Sequence, residues 1–252
     1  MEALSFAGDL ETAAAAMLIA ISAATSFLTA AAGIGGGVVL LAVMAVILPA
    51  QALIPVHGLV QLGSNGGRAL ILLRDVETSV LLPFCLGSLA GAALGGAIAV
   101  QLPPAWLKIG LGVFVLWSVW GRSVVPTGRF TVVLTGAFSS FLTMFFGATG
   151  TFVSAMVKTL ELDRLAHVAT HSACMVAQHL IKVLAFGLLG FAYGPYAGLI
   201  VAMIASGFLG TLLGKRVLVR MKDRTFHRVL SVVLSLLALR LLYEGVTLAL
   251  AG

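Results

Sequence analysis

Residues 26–39 read SFLTAAAGIGGGVV and residues 140–153 read SFLTMFFGATGTFV. Set 114 positions apart, seven of these fourteen residues are identical, among them Gly33 with Gly147 and Gly36 with Gly150. Glycine in a helix interior costs about 1 kcal/mol relative to alanine. The runs Gly33-Ile34-Gly35-Gly36-Gly37 and Gly147-Ala148-Thr149-Gly150 therefore predict breaks in otherwise apolar helical stretches. The plainer reading is close helix packing on small residues, which membranes favour. Two clusters in one register favour a break with a function. The same offset sets His57 on His171, Asn65 on His179 and Arg68 on Lys182.

Outward from these runs the chain is apolar almost throughout. Its 252 residues are 60% hydrophobic and 10% charged, with a mean hydropathy of +1.13. A soluble domain carries roughly a quarter charged residues, so this composition excludes a soluble enzyme, and disorder needs the opposite balance. No Asp, Glu, Lys or Arg stands between Glu11 and Arg68, from Thr78 to Leu107, or from Val183 to Gly214. Each stretch exceeds the ~20 apolar residues that cross a bilayer as a helix. The chain reads as an all-α polytopic membrane protein. Cys85 and Cys174 lie inside apolar segments and read as reduced, buried thiols. Met1–Glu11 carries Glu2, Asp9 and Glu11 but no Lys or Arg, so it reads as the start of the mature chain rather than a signal peptide.

Charge clusters and Pro/Gly pairs cut the chain into eight segments. Repeat 1 (1–122) holds a broken hairpin at 12–48 and helices at 52–74, 78–101 and 105–120. Repeat 2 (123–252) holds a broken hairpin at 130–158 and helices at 163–190, 194–214 and 226–250. Basic residues gather at Arg68/Arg74, Arg122/Arg129, Lys158/Arg164 and 215–228. Cytoplasmic loops are enriched in Lys and Arg, which sets these four inside and leaves the uncharged links at Pro103-Pro104 and Gly194-Pro195 outside, together with both termini. The topology closes only if each broken hairpin enters and leaves on one side. The fold class expected is thus two inverted-topology repeats, each a glycine-broken hairpin plus three transmembrane helices. Many secondary transporters follow this plan, with a site where the breaks meet.

Broken backbone at membrane depth must line a cavity or be buried in protein. The half-helices that start near Gly36 and Gly37, and near Gly150 and Thr151, would present free N–H groups and positive dipole ends there, which suits an anion. Thr29, Thr143 and Thr149 add hydroxyls nearby. The helix after each break carries a polar stripe: His57, Gln61, Asn65 and Arg68 in one half, and His171, Gln178, His179 and Lys182 in the other. Intramembrane cations are functional candidates by default, although Arg68 and Lys182 also stand close enough to segment ends to snorkel outward. Arg240 and Glu244, at i and i+4, read as a structural pair. Two rival readings follow from the same residues. A divalent-metal transporter or channel would use His57, His171 and His179 with Met144 and Met175 as soft ligands; two cations and no carboxylate oppose it. An intramembrane hydrolase would pair Ser140 or Ser154 with His171 or His179, but no G-x-S-x-G elbow is present.

Ala32-Gly33-Ile34-Gly35-Gly36-Gly37, with Pro49 downstream and the second copy Gly147-Ala148-Thr149-Gly150, resembles the sulfite exporter TauE/SafE family of bacterial membrane transporters. The resemblance runs along essentially the whole chain in length, repeat order and hydropathy. It implies an inner-membrane exporter of a small sulfur-containing anion, sulfite or an organosulfonate such as sulfoacetate, working by alternating access. Thr149 and Thr151 stand where the first copy has glycines. The partners expected are that small anion, the lipid bilayer and at most a second copy of the chain. No cofactor, metal or nucleic acid is expected.

Overall fold

The computed structural model describes residues 10–32, 35–99, 101–121, 130–217 and 224–251. Glu2, Asp9, Gly33, Ile34, Arg122, Arg129, Arg220 and Lys222 lie outside the described residues. Every regular element among the described residues is helical. The first apolar segment is α1 (Thr12–Ala32) and α2 (Gly36–Ile47), and α3 (Ala50–Ile71), α4 (Leu81–Ala99) and α5 (Pro104–Trp120) follow. The fifth segment is α6 (Thr131–Phe146) and α7 (Gly150–Lys158), followed by α8 (Arg164–Leu188), α9 (Ala197–Val217) and α10 (Arg224–Ala251).

The boundaries have local causes. Pro104 opens α5 at a position whose N–H has no intrahelical partner in any case. Asp163 caps α8, its carboxylate accepting from the Ala166 N–H at 2.9 Å. At the breaks Gly35 has φ 104° and Gly147 φ 71°, a region in which side chains other than glycine are strained. The glycines therefore do interrupt the helices, as the sequence predicts.

Thr12–Ala30, Thr78–Ala99, Arg164–Leu188 and Gly194–Gly214 are long and apolar enough to cross a membrane unaided. α5 is shorter, at 17 residues. α4 displays the packing logic of a membrane solvent. Its exposed face is Leu82, Leu86, Leu89 and Leu94, whereas its buried face is Gly87, Ser88, Gly91, Ala92 and Gly95. Lipid rewards no burial of leucine, so the small residues go inward and let backbones meet.

Helices pair across the two halves of the chain. α4 lies along α6, α1 along α9, α3 along α8 and α5 along α10. The first two pairs depend on glycine. A Cβ on Gly87 or Gly91 would strike the carbonyls of Val133 or Ala137, and one on Gly210 would strike that of Ala23. Ser22 Oγ donates to the Met203 carbonyl at 2.7 Å and Ser206 Oγ to that of Ile19 at 2.8 Å, tying α1 to α9 twice more. Arg240 and Glu244 do pair, at 2.8 Å, and Lys108 reaches the same carboxylate at 2.7 Å, joining α5 to α10. α2 is largely buried among the longer helices, with Leu40, Leu41, Ala42 and Met44 in the main apolar core.

Candidate functional site

The starts of α2 and α7 meet at one cavity of about 50 Å³, lined from the first half by Gly35, Gly37 and Val38 and from the second by Ala148, Gly150 and Thr151. That volume is room for a small group of atoms, since about 10–15 Å³ of such space admits one water. Neither helix start is capped by a side chain. Thr149, at the capping position of α7, donates instead to Gln178 Oε1 at 3.3 Å. The first N–H groups of a helix have no intrahelical acceptor, so both helices present uncapped donors at this cavity. The Thr151 hydroxyl, also at its wall, is buried without a hydrogen-bond partner among the described residues.

α3 and α8 supply the polar walls. His57, Gln61 and Asn65 line the cavity from α3, and His171, Met175 and His179 from α8. The two histidines at equivalent register do equivalent things. His57 Nε2 is 3.1 Å from the Gly37 carbonyl and His171 Nε2 is 3.1 Å from the Gly150 carbonyl. A carbonyl only accepts, so each ring donates through Nε2 and ties its long helix to the adjacent half-helix. Asn65 Nδ2 donates to the Gln61 carbonyl at 2.8 Å and to Gln61 Oε1 at 3.3 Å, extending the stripe along α3.

Eight of the twelve residues expected at the site line this cavity: Gly37, His57, Gln61, Asn65, Gly150, Thr151, His171 and His179. Gly36 precedes the wall residue Gly37 and packs against α1, where a Cβ would strike the Thr25 carbonyl. Gln178 faces away, donating to Ser139 Oγ at 2.9 Å and Ser140 Oγ at 3.1 Å on α6. Arg68 and Lys182 flank the cavity without lining it. Arg68 Nη1 donates to Asn65 Oδ1 at 3.0 Å and contacts Ser172 Oγ at 3.5 Å, and Lys182 Nζ donates to the Gly147 carbonyl at 3.3 Å. They are 3% and 0% exposed, so neither snorkels to an interface. Neither has a carboxylate within ion-pair distance among the described residues.

Val38 and Ala148 are wall residues that the sequence does not single out, and Met175 stands out there only as a metal ligand. The 114-residue register could have placed Met175, since it sets that residue on Gln61; nothing in sequence marks Val38. Among the described residues no three His, Cys, Asp or Glu side chains are grouped to hold a metal. Ser154 Oγ is 3.1 Å from His167 Nε2 rather than from His171 or His179. Cys85 and Cys174 are free thiols, the second buried.

A family model described as Sulfite exporter TauE/SafE matches residues 18–241. The chain belongs to the sulfite exporter TauE/SafE family. No curated protein and no solved structure matches it. Family membership makes the protein a membrane transporter of the sulfite-exporter type, and it gives the central cavity a chemical context. For a TauE/SafE chain, two uncapped helix starts and two buried cations around a cavity without a carboxylate are the features that bear on an anionic cargo.

Proposed function

We propose that the central cavity is the binding site of a small sulfur oxyanion or sulfonate head group, which the protein exports from the cell by alternating access between halves related by the 114-residue register. The observation that carries this reading is the convergence of the α2 and α7 starts, both uncapped, on one cavity whose lining has no charged side chain. The backbone N–H groups of Gly36, Gly37, Gly150 and Thr151 would hold the oxygens, with Gln61 and the Thr151 hydroxyl completing the shell. Arg68 and Lys182 offset the anion's charge from just behind that wall. Their field is little screened in a buried setting, so direct contact is not required. The pairing of α1 with α9 and of α6 with α4 supports two equivalent halves, because each joins the first helix of one half to the fourth of the other. Export of an anion runs down an inside-negative potential, worth about 2.3 kcal/mol per charge per 100 mV.

The test is thermal stabilisation of the purified protein by sulfite, sulfate, sulfoacetate, taurine, acetate, chloride, Ni²⁺ and Zn²⁺. Ligand at a hundred times its Kd stabilises by about 2.7 kcal/mol. Sulfite or a sulfonate is expected to raise Tm, and Arg68→Gln to remove most of that rise. Stabilisation by the metals alone would overturn the anion reading in favour of the histidine-based one.

A further inference from the structure

A second cavity, of about 270 Å³, opens at the end of the molecule where α3 and α5 begin and α8 ends. Its mouth carries the exposed residues Gln51, Pro104 and Gly190, and its floor carries the buried Ile54, Met144 and Phe186. Along α3 the succession from the mouth inward is Gln51, Ile54 and then His57 of the central cavity. Along α8, read from its C-terminal end, it is Phe186, Lys182 and then His179 of the central cavity. Phe186 and His179 are seven residues apart on α8, about 10 Å of helix, so on that side one layer of side chains separates the two cavities.

Lys182 forms that layer. It lines neither cavity, its Cε would lie 2.6 Å from a Cβ on Gly58, and its Nζ holds the Gly147 carbonyl. Gly147 leans on the Ile54 side chain, and the next residue, Ala148, already belongs to the central cavity. On the opposite side of the central cavity stands Arg68, the residue at the same register, held by Asn65 and Ser172. Beyond it Leu72, Val168 and Ala169 close into an apolar cluster.

We propose that Lys182 is the gate residue between this vestibule and the central cavity, with Arg68 its counterpart at the other exit. This rests on the transport reading above. In the closed gate the ammonium satisfies itself on a neutral carbonyl. An oxyanion leaving the central cavity offers Lys182 a charge-assisted hydrogen bond, roughly twice as strong as a neutral one. Lys182 then exchanges the Gly147 carbonyl for the anion, and that carbonyl keeps the Thr143 hydroxyl, at 3.1 Å, as its side-chain partner. The anion thus binds the open arrangement better than the closed one, which is what a ligand needs in order to shift that equilibrium. A metal cation makes no such exchange.

The experiment uses the full chain in liposomes, with Cys85→Ala and Cys174→Ala as background. Leu102→Cys reports on the vestibule and Thr151→Cys on the central cavity, each modified by a charged, membrane-impermeant methanethiosulfonate. In the background protein the vestibule thiol is expected to react at least tenfold faster than the cavity thiol. Lys182→Met, and separately Met144→Ala, should raise the cavity thiol's rate tenfold or more and leave the vestibule thiol within twofold. Equal rates in the background protein, or no rise at the cavity thiol in both variants, would overturn the gate. Met144→Ala should also keep the Tm rise with sulfite. Loss of that rise from the unsubstituted protein, with the labelling pattern intact, would count against the transport reading alone.

Discussion

Gly36 and Gly66 look alike in the sequence and differ in what surrounds them. A Cβ at Gly36 would collide with the Thr25 carbonyl and the Thr29 hydroxyl, whereas one at Gly66 would meet nothing within 4 Å. Overpacking of a closed interface costs typically 1–3 kcal/mol, and Gly36→Ala is expected to lower Tm accordingly or to prevent folding. Gly66→Ala lies inside α3 and should gain about 0.5–1 kcal/mol from helix propensity. Thermal melts of the two variants side by side check both signs; a fall in Tm for Gly66→Ala would mean that α3 must bend there. The register of His57 with His171 is legible in the sequence. Their use of Nε2 on backbone carbonyls is not, because a histidine in a helix gives no sign of which turn of which neighbour it will face. Arg68 and Lys182 are legible as candidates, but their position behind the wall depends on Ser172, a residue too ordinary to draw notice, and on the carbonyl of Gly147, which the sequence marks only as part of a break.

Elements obey a coarser rule, and the sequence conveys it better. Helix ends fall near Pro, Gly and Asp because those residues act within one turn, so α2 to α8 are nearly readable from the chain. Partners are not readable, since glycine on α4 says only that some backbone will come close. The α4–α6 contact gives a test at this scale. Gly91→Val, which forces a branched side chain against the Ala137 carbonyl, should cost at least the 1–3 kcal/mol of an overpacked interface. Leu86→Val on the lipid-facing side of the same helix should stay within about 0.5 kcal/mol. Equal losses in Tm would contradict the inside-out packing of α4. The turn before α4 offers a pH test. Glu77 interacts with the Ser79 hydroxyl and accepts from the Ser79 N–H, and the two together, the hydroxyl first, hold its carboxyl below the ordinary value of 4.5. A carboxyl lowered on folding stabilises above its unfolded value, and the effect disappears as pH falls through the folded one. The Tm gap between the parent and Glu77→Ala should therefore be present at neutral pH and close in acid; a gap that widens in acid would reverse the assignment.

At the scale of the whole molecule, composition alone settles the solvent, because a chain with 10% charged residues has no way to face water on every side. The position of the central cavity also follows from the two glycine runs. The vestibule does not, since its walls are alanine, leucine, proline and phenylalanine of the kind found anywhere in such a chain. The pairing of α1 with α9 bears on how the protein is made. α1 ends at Ala32, and the glycine-bearing face that receives it belongs to a helix that begins at Ala197. At a synthesis rate of about 5–20 residues per second, α1 waits on the order of ten to thirty seconds in the bilayer before its partner leaves the ribosome. During that interval the buried hydroxyl of Ser22 lacks its α9 partner, the Met203 carbonyl. Biogenesis of this transporter thus includes an interval in which the first helix must be sheltered, by the insertion machinery or by an early neighbour such as α2, until the second half of the chain arrives.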